Sequence, residues 1–229
     1  IAAAGELTAQ TTIDASALTG KLTIQTDTTA NNSITGGSGA DSITADGGSA
    51  ITETINAGAG NDTVTFDANL ANTDVVNGGD GTDTLVSTYA LLQALTNATA
   101  ATDNVSNFEN VTFTTAFTTN TTFTVASVQK TGIHTVTLDD LGVAAGANVN
   151  TINFLAGDNT LNLAGVIAGT SMTLDAAGSA TNDTLAINVT DTGADAINGI
   201  AIVTTDFETV TIDTSGLGAA VDQTLGAVT

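Results

Sequence analysis

Three copies of one pattern lie between Ile34 and Val86 at intervals of 21 residues: Gly36-Gly37-Ser38-Gly39-Ala40-Asp41-Ser42-Ile43, Ala57-Gly58-Ala59-Gly60-Asn61-Asp62-Thr63-Val64, and Gly78-Gly79-Asp80-Gly81-Thr82-Asp83-Thr84-Leu85. Glycine permits the positive φ angles with which a backbone curls tightly and turns its carbonyl groups inward. An aspartate two residues after the last glycine adds a hard anionic oxygen, and an apolar residue follows soon after. This order of residues matches the calcium-binding turns of parallel β-helices. The stretch therefore predicts a repeating β structure that binds Ca²⁺.

The interval of 21 residues extends to the apolar residues on both sides of the turns. The residues before the turns are Ile34, Ile55 and Val76, those after them are Ile43, Val64 and Leu85, and one further step toward the N-terminus reaches Ile13 and Leu22. In a stacked solenoid, equivalent positions lie above one another, about 4.8 Å apart. We therefore expect four apolar coils, of which the last three carry a metal turn. In the first coil Gly20 takes the place of the aspartate, so this coil is interpreted as structural.

The same stacking predicts a column of carboxylates along one edge of the coils. Asp41, Asp62 and Asp83 would lie about 5 Å from one another and would repel. Ca²⁺ takes six to eight oxygen ligands at about 2.3–2.6 Å, so it can bridge neighbouring coils through carboxylates and turn carbonyls. We therefore expect metal binding and folding to be coupled.

A second period of about 100 residues overlies the short one. Its pairs are Asn107–Phe113 with Asp206–Ile212, Asp83–Leu85 with Asp183–Leu185, and Thr12–Leu18 with Thr211–Leu217. These anchors predict a first unit at 1–111 with metal turns at 34–86, a second at 112–210 with degenerate turns, and the start of a third at 211–229. Such a chain is expected to be a segment of a longer array.

The second unit has weaker turns and clearer strands. Ala156-Gly157-Asp158-Asn159 and Ala177–Asp183 are interpreted as ordinary acidic turns, although either could hold an ion. Alternating apolar residues predict half-buried strands at Phe123–Val125, His134–Leu138, Thr160–Leu163 and Ala186–Val189. The best helical candidate is Tyr89–Ala101, with Leu91, Leu92 and Leu95 on one face.

The composition excludes several classes of partner. Lys21 and Lys130 are the only strong bases against 24 acidic residues, which gives a net charge of −22 over 229 residues. This balance argues against binding nucleic acid or an anionic membrane. No apolar run approaches the roughly 20 residues of a membrane span, and no secretory leader pattern follows Ile1. The absence of cysteine excludes disulfides.

Nothing in the sequence indicates an enzyme. His134 is the only histidine, and zinc sites normally combine several Cys, His or carboxylate ligands. No Gly-x-Ser-x-Gly elbow is present. Glu109 and Glu208 occupy equivalent positions of the long repeat, which favours a structural role over an acid–base pair.

The glycine-aspartate turns, the Asp-Thr-Leu stretches and the Phe-Glu-x-Val-Thr segments together resemble RTX-type β-strand-repeat proteins. Within that group they are most similar to calcium-dependent bacterial surface-layer (S-layer) proteins exported by type I secretion. The resemblance implies an all-β, elongated right-handed parallel β-solenoid (a β-helix or β-roll) with at most one or two short helices. It also implies secretion to the bacterial cell surface and calcium-driven self-assembly. Turns 21 residues apart, rather than nine, suggest one metal edge per coil.

The resemblance places the Ca²⁺ ligands in the three turns, as glycine carbonyls and as the carboxylates of Asp41, Asp62 and Asp83. The full set of candidate metal residues is Gly36, Gly37, Gly39, Asp41, Gly58, Gly60, Asn61, Asp62, Gly78, Gly79, Asp80, Gly81 and Asp83. No catalytic residue and no organic cofactor is predicted.

The leading hypothesis is a structural component of a bacterial surface layer, stabilised by calcium. Its expected partners are other copies of itself in an extracellular lattice or filament, with cell-surface polysaccharide as a further candidate. Two alternatives stay open at this point. One is a secreted adhesin whose solenoid acts as a stalk or a glycan-binding module. The other is the calcium β-roll of a secreted hydrolase or toxin.

Overall fold

The computed structural model describes residues 2–6, 11–26, 29–45, 48, 50–95, 104–115, 120–129, 132–139, 149–164, 167–168, 171–178, 181–190, 197–198 and 201–215. The chain divides into two compact units. Unit 1 consists of Ile1–Val111 and Ser127–Gly132, and unit 2 of Thr112–Ala126 and Ile133–Thr229.

Unit 1 is built from short parallel strands in two sheets. The strands are β1 (Ala2–Glu6), β2 (Thr11–Asp14), β3 (Thr23–Gln25), β4 (Asn32–Thr35), β5 (Ser42–Ala45), β6 (Glu53–Asn56), β7 (Thr63–Phe66), β8 (Val75–Asn77), β9 (Thr84–Ser87) and β10 (Val105–Ser106). One sheet has the order β1-β3-β5-β7-β9 and the other the order β10-β8-β6-β4-β2. A further strand, β11 (Asn110–Phe113), spans the division between the units. Successive strands thus alternate between two sheets, as in the coils of a solenoid.

The predicted apolar ladders form the core of unit 1. Ile34 pairs with Ile55, and Ile55 pairs with Val76. On the other sheet Ile43, Val64 and Leu85 stand in register, and all six side chains are buried. Strands β5 and β7 alternate buried and half-buried residues because successive side chains point to opposite faces of a sheet. Between Ile34 and Leu85, the interval of 21 residues is therefore the length of one coil.

The first coil departs from the predicted interval. Ile13 pairs with Ile34 as expected, but the partner of Ile43 is Ile24 and not Leu22. The cause is the turn between β2 and β3, which spans residues 15–22 and is two residues longer than the glycine turn at 36–41. The apolar position after this turn therefore moves from Leu22 to Ile24.

The predicted helix is present but shorter than expected. Helix α1 spans Tyr89–Ala94, and residues 96–101 of the predicted helix lie outside the described residues. The Thr88 side chain caps its N-terminus by accepting the Leu91 amide at 3.3 Å. Leu92 and Leu95 are buried, whereas Leu91 is half-buried. Only two of the three leucines predicted for the apolar face are therefore fully packed in the core.

Unit 2 repeats the architecture with longer strands. These are β12 (Thr122–Thr124), β13 (Thr135–Leu138), β14 (Val149–Phe154), β15 (Asp158–Leu163), β16 (Ile167–Ala168), β17 (Ser171–Ala176), β18 (Thr184–Val189), β19 (Ile197–Asn198), β20 (Ala201–Thr205) and β21 (Thr209–Asp213). Their parallel orders are β13-β15-β18-β21, β12-β14-β17-β20 and β16-β19. The four predicted strands are confirmed with two differences at their ends. Val125 begins helix α2 (Val125–Val128) instead of ending β12, and His134 precedes β13 instead of beginning it.

The prediction of a parallel β-solenoid with at most two short helices is confirmed for the described residues, in which α1 and α2 are the only helices. Within the same ranges, no helix has the length and apolar character needed to cross a bilayer.

Candidate metal centre

Each predicted metal turn ends in an aspartate whose carboxylate is buried. Asp41, Asp62 and Asp83, which we call the aspartate column, directly precede strands β5, β7 and β9, and none is more than 2% exposed. Their Oδ1 atoms accept backbone amides of the preceding coil: Leu22 N at 2.7 Å, Asp41 N at 2.7 Å and Asp62 N at 2.8 Å. Each carboxylate therefore joins two coils.

The hydrogen bonding of the second carboxylate oxygen, Oδ2, differs between Asp41 and the other two aspartates. Asp41 Oδ2 accepts the Gly37 amide at 2.9 Å. The Oδ2 atoms of Asp62 and Asp83 are buried and have no hydrogen-bond partner. An unpartnered buried carboxylate oxygen is costly, so the group must gain a proton or a cation. Asp62 and Asp83 have this need and Asp41 does not.

The glycines explain this difference. Gly58 and Gly79 have φ angles of 108° and 106°, whereas the equivalent Gly37 lies outside the positive-φ region. Gly37 stacks on the non-glycine turn of the first coil, where the Leu18 carbonyl accepts the Ser38 amide at 2.8 Å. The amide of Gly37 consequently bonds to Asp41 within its own turn.

The glycine turns also stack too closely to admit side chains. A Cβ atom on Gly36 would lie 1.9 Å from the Ala57 carbonyl oxygen, and one on Gly79 would lie 1.9 Å from that of Gly58. The Gly37 and Gly58 carbonyls accept the Ala59 and Asp80 amides of the next coil, both at 2.9 Å. Turn carbonyls thus point along the stack, and a carbonyl oxygen keeps a second lone pair for a cation.

The remaining predicted residues lie around the aspartate column. Gly36, Gly37 and Gly78 are buried, Gly39, Gly58, Gly60 and Gly79 are half-buried, and Asn61, Asp80 and Gly81 are exposed. The Asn61 side-chain oxygen accepts the Thr82 amide at 3.1 Å, so this residue also joins neighbouring coils. The structure therefore brings the predicted turns together, with Asn61 and Asp80 at their outer rim.

Burial changes the acidity of Asp62 and Asp83. It raises the pKa of Asp62 from 3.8 to about 6; the hydrogen bond from Asp41 opposes the rise, and the charges of Asp83 and Asp41 add to it. Burial also raises the pKa of Asp83, as do the charges of Glu109 and Asp80, against the hydrogen bond from Asp62. These carboxylates resist carrying a negative charge when no cation neutralises them.

The metal-free protein is therefore expected to lose stability as the pH rises. Because the pKa of Asp62 in the folded state is above its unfolded value, the folded state binds more protons between the two values of 3.8 and about 6. Its contribution is fully present below pH 3.8 and is lost as the pH passes 6. Thermal unfolding in chelator should give a lower Tm near pH 7 than near pH 5.

The variant Asp62→Asn is the control for this experiment, because its side chain does not titrate. It should flatten the pH profile in chelator. A Tm of the parent that increases across the same interval would contradict the assignment of a raised pKa to this carboxyl.

Glu109 continues the aspartate column beyond Asp83, and the pattern of the turns did not predict it. Glu109 accepts the Asp83 amide at 2.7 Å through Oε2, and its own amide donates to the Asp83 carbonyl at 3.2 Å. Glu109 thus occupies the place that the next aspartate would take. The only sequence signal was its recurrence as Glu208 in the long repeat, and the structure gives it a structural role in agreement with the prediction.

Unit 1 also contains a second polar column that the sequence analysis missed. Asn32, Glu53 and Asp74 are buried at intervals of 21 residues. Asp74 Oδ1 accepts the Glu53 amide at 2.9 Å, and Glu53 Oε1 accepts the Asn32 side-chain amide at 3.0 Å. These residues stand two positions before Ile34, Ile55 and Val76, so a search for polar residues at the coil interval would have found them. Burial raises the pKa of Asp74 against its hydrogen bonds from Glu53 and Ala71.

The predicted degenerate turns of unit 2 take different forms. Asp158 and Asn159 are the first residues of β15 and not a free turn. His134 Nδ1 lies 3.3 Å from the Asn159 side-chain oxygen, consistent with its predicted structural role. Ser179 and Ala180 of the second turn lie outside the described residues.

The donors in the aspartate column suit a hard cation. Among the described residues, no group of three or more His, Cys, Asp and Glu side chains is placed to hold a metal ion. A cation here would therefore combine one buried carboxylate oxygen with backbone carbonyls, a ligand set that suits Ca²⁺ and not zinc. Comparison with protein-family models, curated proteins and solved structures finds no match to this chain.

Proposed function

We propose that this chain is a non-enzymatic structural protein of a bacterial surface layer, with coils locked by Ca²⁺ and copies that assemble into an extracellular lattice or filament. The observation that carries the proposal is the pair of buried, unpartnered carboxylate oxygens of Asp62 and Asp83. They lie in stacked glycine turns, at the positions where the sequence pattern predicts calcium ligands. Asp41, with both oxygens hydrogen-bonded, contributes mainly to the stack.

The role of the cation follows from the charges in the column. Ca²⁺ would neutralise carboxylates that burial and mutual repulsion otherwise drive toward protonation. It would bind the folded coils and not the unfolded chain, so binding adds directly to folding stability. At a concentration about 100-fold above Kd, each site contributes about 2.7 kcal/mol.

The proposal of assembly rests on the net charge. A protein with 24 acidic and two strongly basic residues repels its own copies in the absence of cations. Divalent cations would remove this repulsion in an extracellular medium rich in calcium. The same charge disfavours nucleic acid and anionic lipid as partners.

Removal of calcium is the direct experiment on this function. Adding a calcium-selective chelator should lower the Tm by about 10 to 20 °C, if Asp62 and Asp83 each lose an ion, and should dissociate assemblies to single chains. Thermal unfolding followed by circular dichroism and analytical ultracentrifugation measure the two effects. Mg²⁺ at the same concentration is the control, because it prefers strict octahedral geometry and should not restore stability.

An unchanged Tm and an unchanged sedimentation coefficient after chelation would contradict both parts of the proposal. Calcium-dependent stability combined with calcium-dependent binding to a glycan array, and without self-association, would instead favour the adhesin.

A further inference from the structure

Unit 2 contains a buried carboxylate that none of the three predicted metal turns includes. Asp183 is 1% exposed, and its Oδ1 accepts the Gly157 amide at 2.6 Å. Its Oδ2 is buried and has no hydrogen-bond partner. Asp183 therefore shares the unsatisfied state of Asp62 and Asp83 without belonging to a glycine-aspartate repeat.

The contacts of Asp183 reproduce those of Asp83 one by one. The Asp83 amide donates to Glu109 Oε2 at 2.7 Å, and the Asp183 amide donates to Glu208 Oε2 at 2.6 Å. The Asp83 carbonyl accepts the Glu109 amide at 3.2 Å, and the Asp183 carbonyl accepts the Glu208 amide at 3.0 Å. The long repeat of the sequence thus repeats this arrangement of a buried aspartate closed by a glutamate.

The turn that faces Asp183 has the backbone form of the metal turns. Gly157 has a φ of 108°, the same as Gly58 in the second metal turn. A Cβ atom on Gly157 would meet a single heavy atom within 4 Å, His134 Cε1 at 3.8 Å, so this turn is not packed as closely as the turns of Gly58 and Gly79. The site therefore combines an unpartnered buried oxygen with a positive-φ glycine.

Unit 2 has no positively charged side chain with which to neutralise Asp183. Its sequence contains neither Lys nor Arg, and its single histidine, His134, faces the Asn159 side chain. A buried carboxylate in such a unit has no cationic side chain to pair with, so a counter-charge would have to come from solution.

We propose that Asp183 forms a calcium site in unit 2, with Oδ2 as the buried carboxylate ligand. The site goes beyond the proposed function, which concerns the turns of unit 1. It joins strands β15 and β18, because the Asp183 side chain bonds to Gly157 before β15 and Asp183 itself precedes β18. Calcium would then stabilise both units, although only unit 1 carries the repeated glycine pattern.

The experiment uses the double variant Asp62→Asn/Asp83→Asn as background, so that ions bound in unit 1 do not contribute. Equilibrium dialysis against CaCl₂ should find one ion bound per chain in this background and none after Asp183→Asn is added. Hydrogen exchange measured by mass spectrometry should show that calcium slows amide exchange in β15 and β18 about tenfold, and that Asp183→Asn abolishes the effect. The matched control is Asp158→Asn, which removes an exposed carboxylate at the start of β15 and should keep the calcium effect.

Asparagine retains an oxygen that can accept the Gly157 amide, and circular dichroism shows whether each variant is folded. Zero ions bound to the double variant, or equal protection by calcium with and without Asp183, would overturn the proposal. The number of ions bound to the double variant does not depend on whether the Asp183→Asn chain folds. If the parent and the double variant each bind one ion, the proposed sites at Asp62 and Asp83 are contradicted, whereas the Asp183 site is supported.

Discussion

The substitution Gly79→Ala is expected to destabilise unit 1 by about 3 kcal/mol or more. Gly79 has a φ of 106°, a conformation that costs an alanine strain energy, and the new Cβ would lie 1.9 Å from the Gly58 carbonyl oxygen. Neither atom can move alone, because the Gly58 carbonyl also accepts the Asp80 amide. The coils would have to separate at the second and third metal turns.

Thermal unfolding in calcium measures this effect, and the expected decrease in Tm is about 6 °C or more. The control is Gly20→Ala in the first coil. A Cβ atom there meets no heavy atom within 4 Å, and its backbone lies outside the positive-φ region, so its effect should stay within about 0.5 kcal/mol. Equal stability of the two variants would show that the glycine turns do not stack as closely as described.

The double variant Asp62→Asn/Asp83→Asn should lose the calcium response of unit 1. Each asparagine retains an oxygen for the amide of the preceding coil, but it replaces the unpartnered oxygen with an uncharged NH₂ group. In chelator the variant should be at least as stable as the parent near neutral pH, because the buried charges are gone. In calcium it should lack the roughly 2.7 kcal/mol that each site supplies at about 100-fold excess over Kd.

The variant Asp41→Asn separates this effect from the loss of hydrogen bonds. In the parent, the Asp41 carboxylate accepts both Leu22 N and Gly37 N. Asparagine leaves one of these two amides without an acceptor, which should lower the free energy of unfolding by about 1–3 kcal/mol. This cost should be the same in calcium and in chelator. Thermal unfolding of the three proteins in both conditions gives the comparison. A calcium response that survives in the double variant but disappears with Asp41→Asn would reverse the assignment.

The sequence was sufficient to predict the core between Ile34 and Leu85 because the coils there have a constant length. The apolar positions of Ile34, Ile55 and Val76 recur at the interval of 21 residues, and parallel strands in register must pair them. The prediction was wrong only where the interval changes, at the first coil, in which the longer turn replaces Leu22 by Ile24. The length of this turn cannot be predicted from a single sequence, because the turn lacks the glycine pattern that marks the ends of the other turns.

The three glycine turns were predictable as turns, but the hydrogen bonds of their carboxylates were not. Each aspartate uses one oxygen to bond a backbone amide of the previous coil, and this depends on the stacking distance and not on the local sequence. The difference between Asp41 and Asp62 depends on what lies beneath each turn: the Leu18 turn in one case and a glycine turn in the other. The buried Glu53 and Asp74 escaped attention because acidic residues are normally expected at the surface.

The proposed function depends on the binding of Ca²⁺ to the buried oxygens of Asp62 and Asp83. The most direct measurement is a crystal structure of the chain grown with CaCl₂, with anomalous difference density collected at a long wavelength. We expect anomalous peaks within calcium–oxygen distance, about 2.3–2.6 Å, of Asp62 Oδ2 and Asp83 Oδ2. Peaks elsewhere with none at these two atoms, or turns free of metal at saturating calcium, would contradict it.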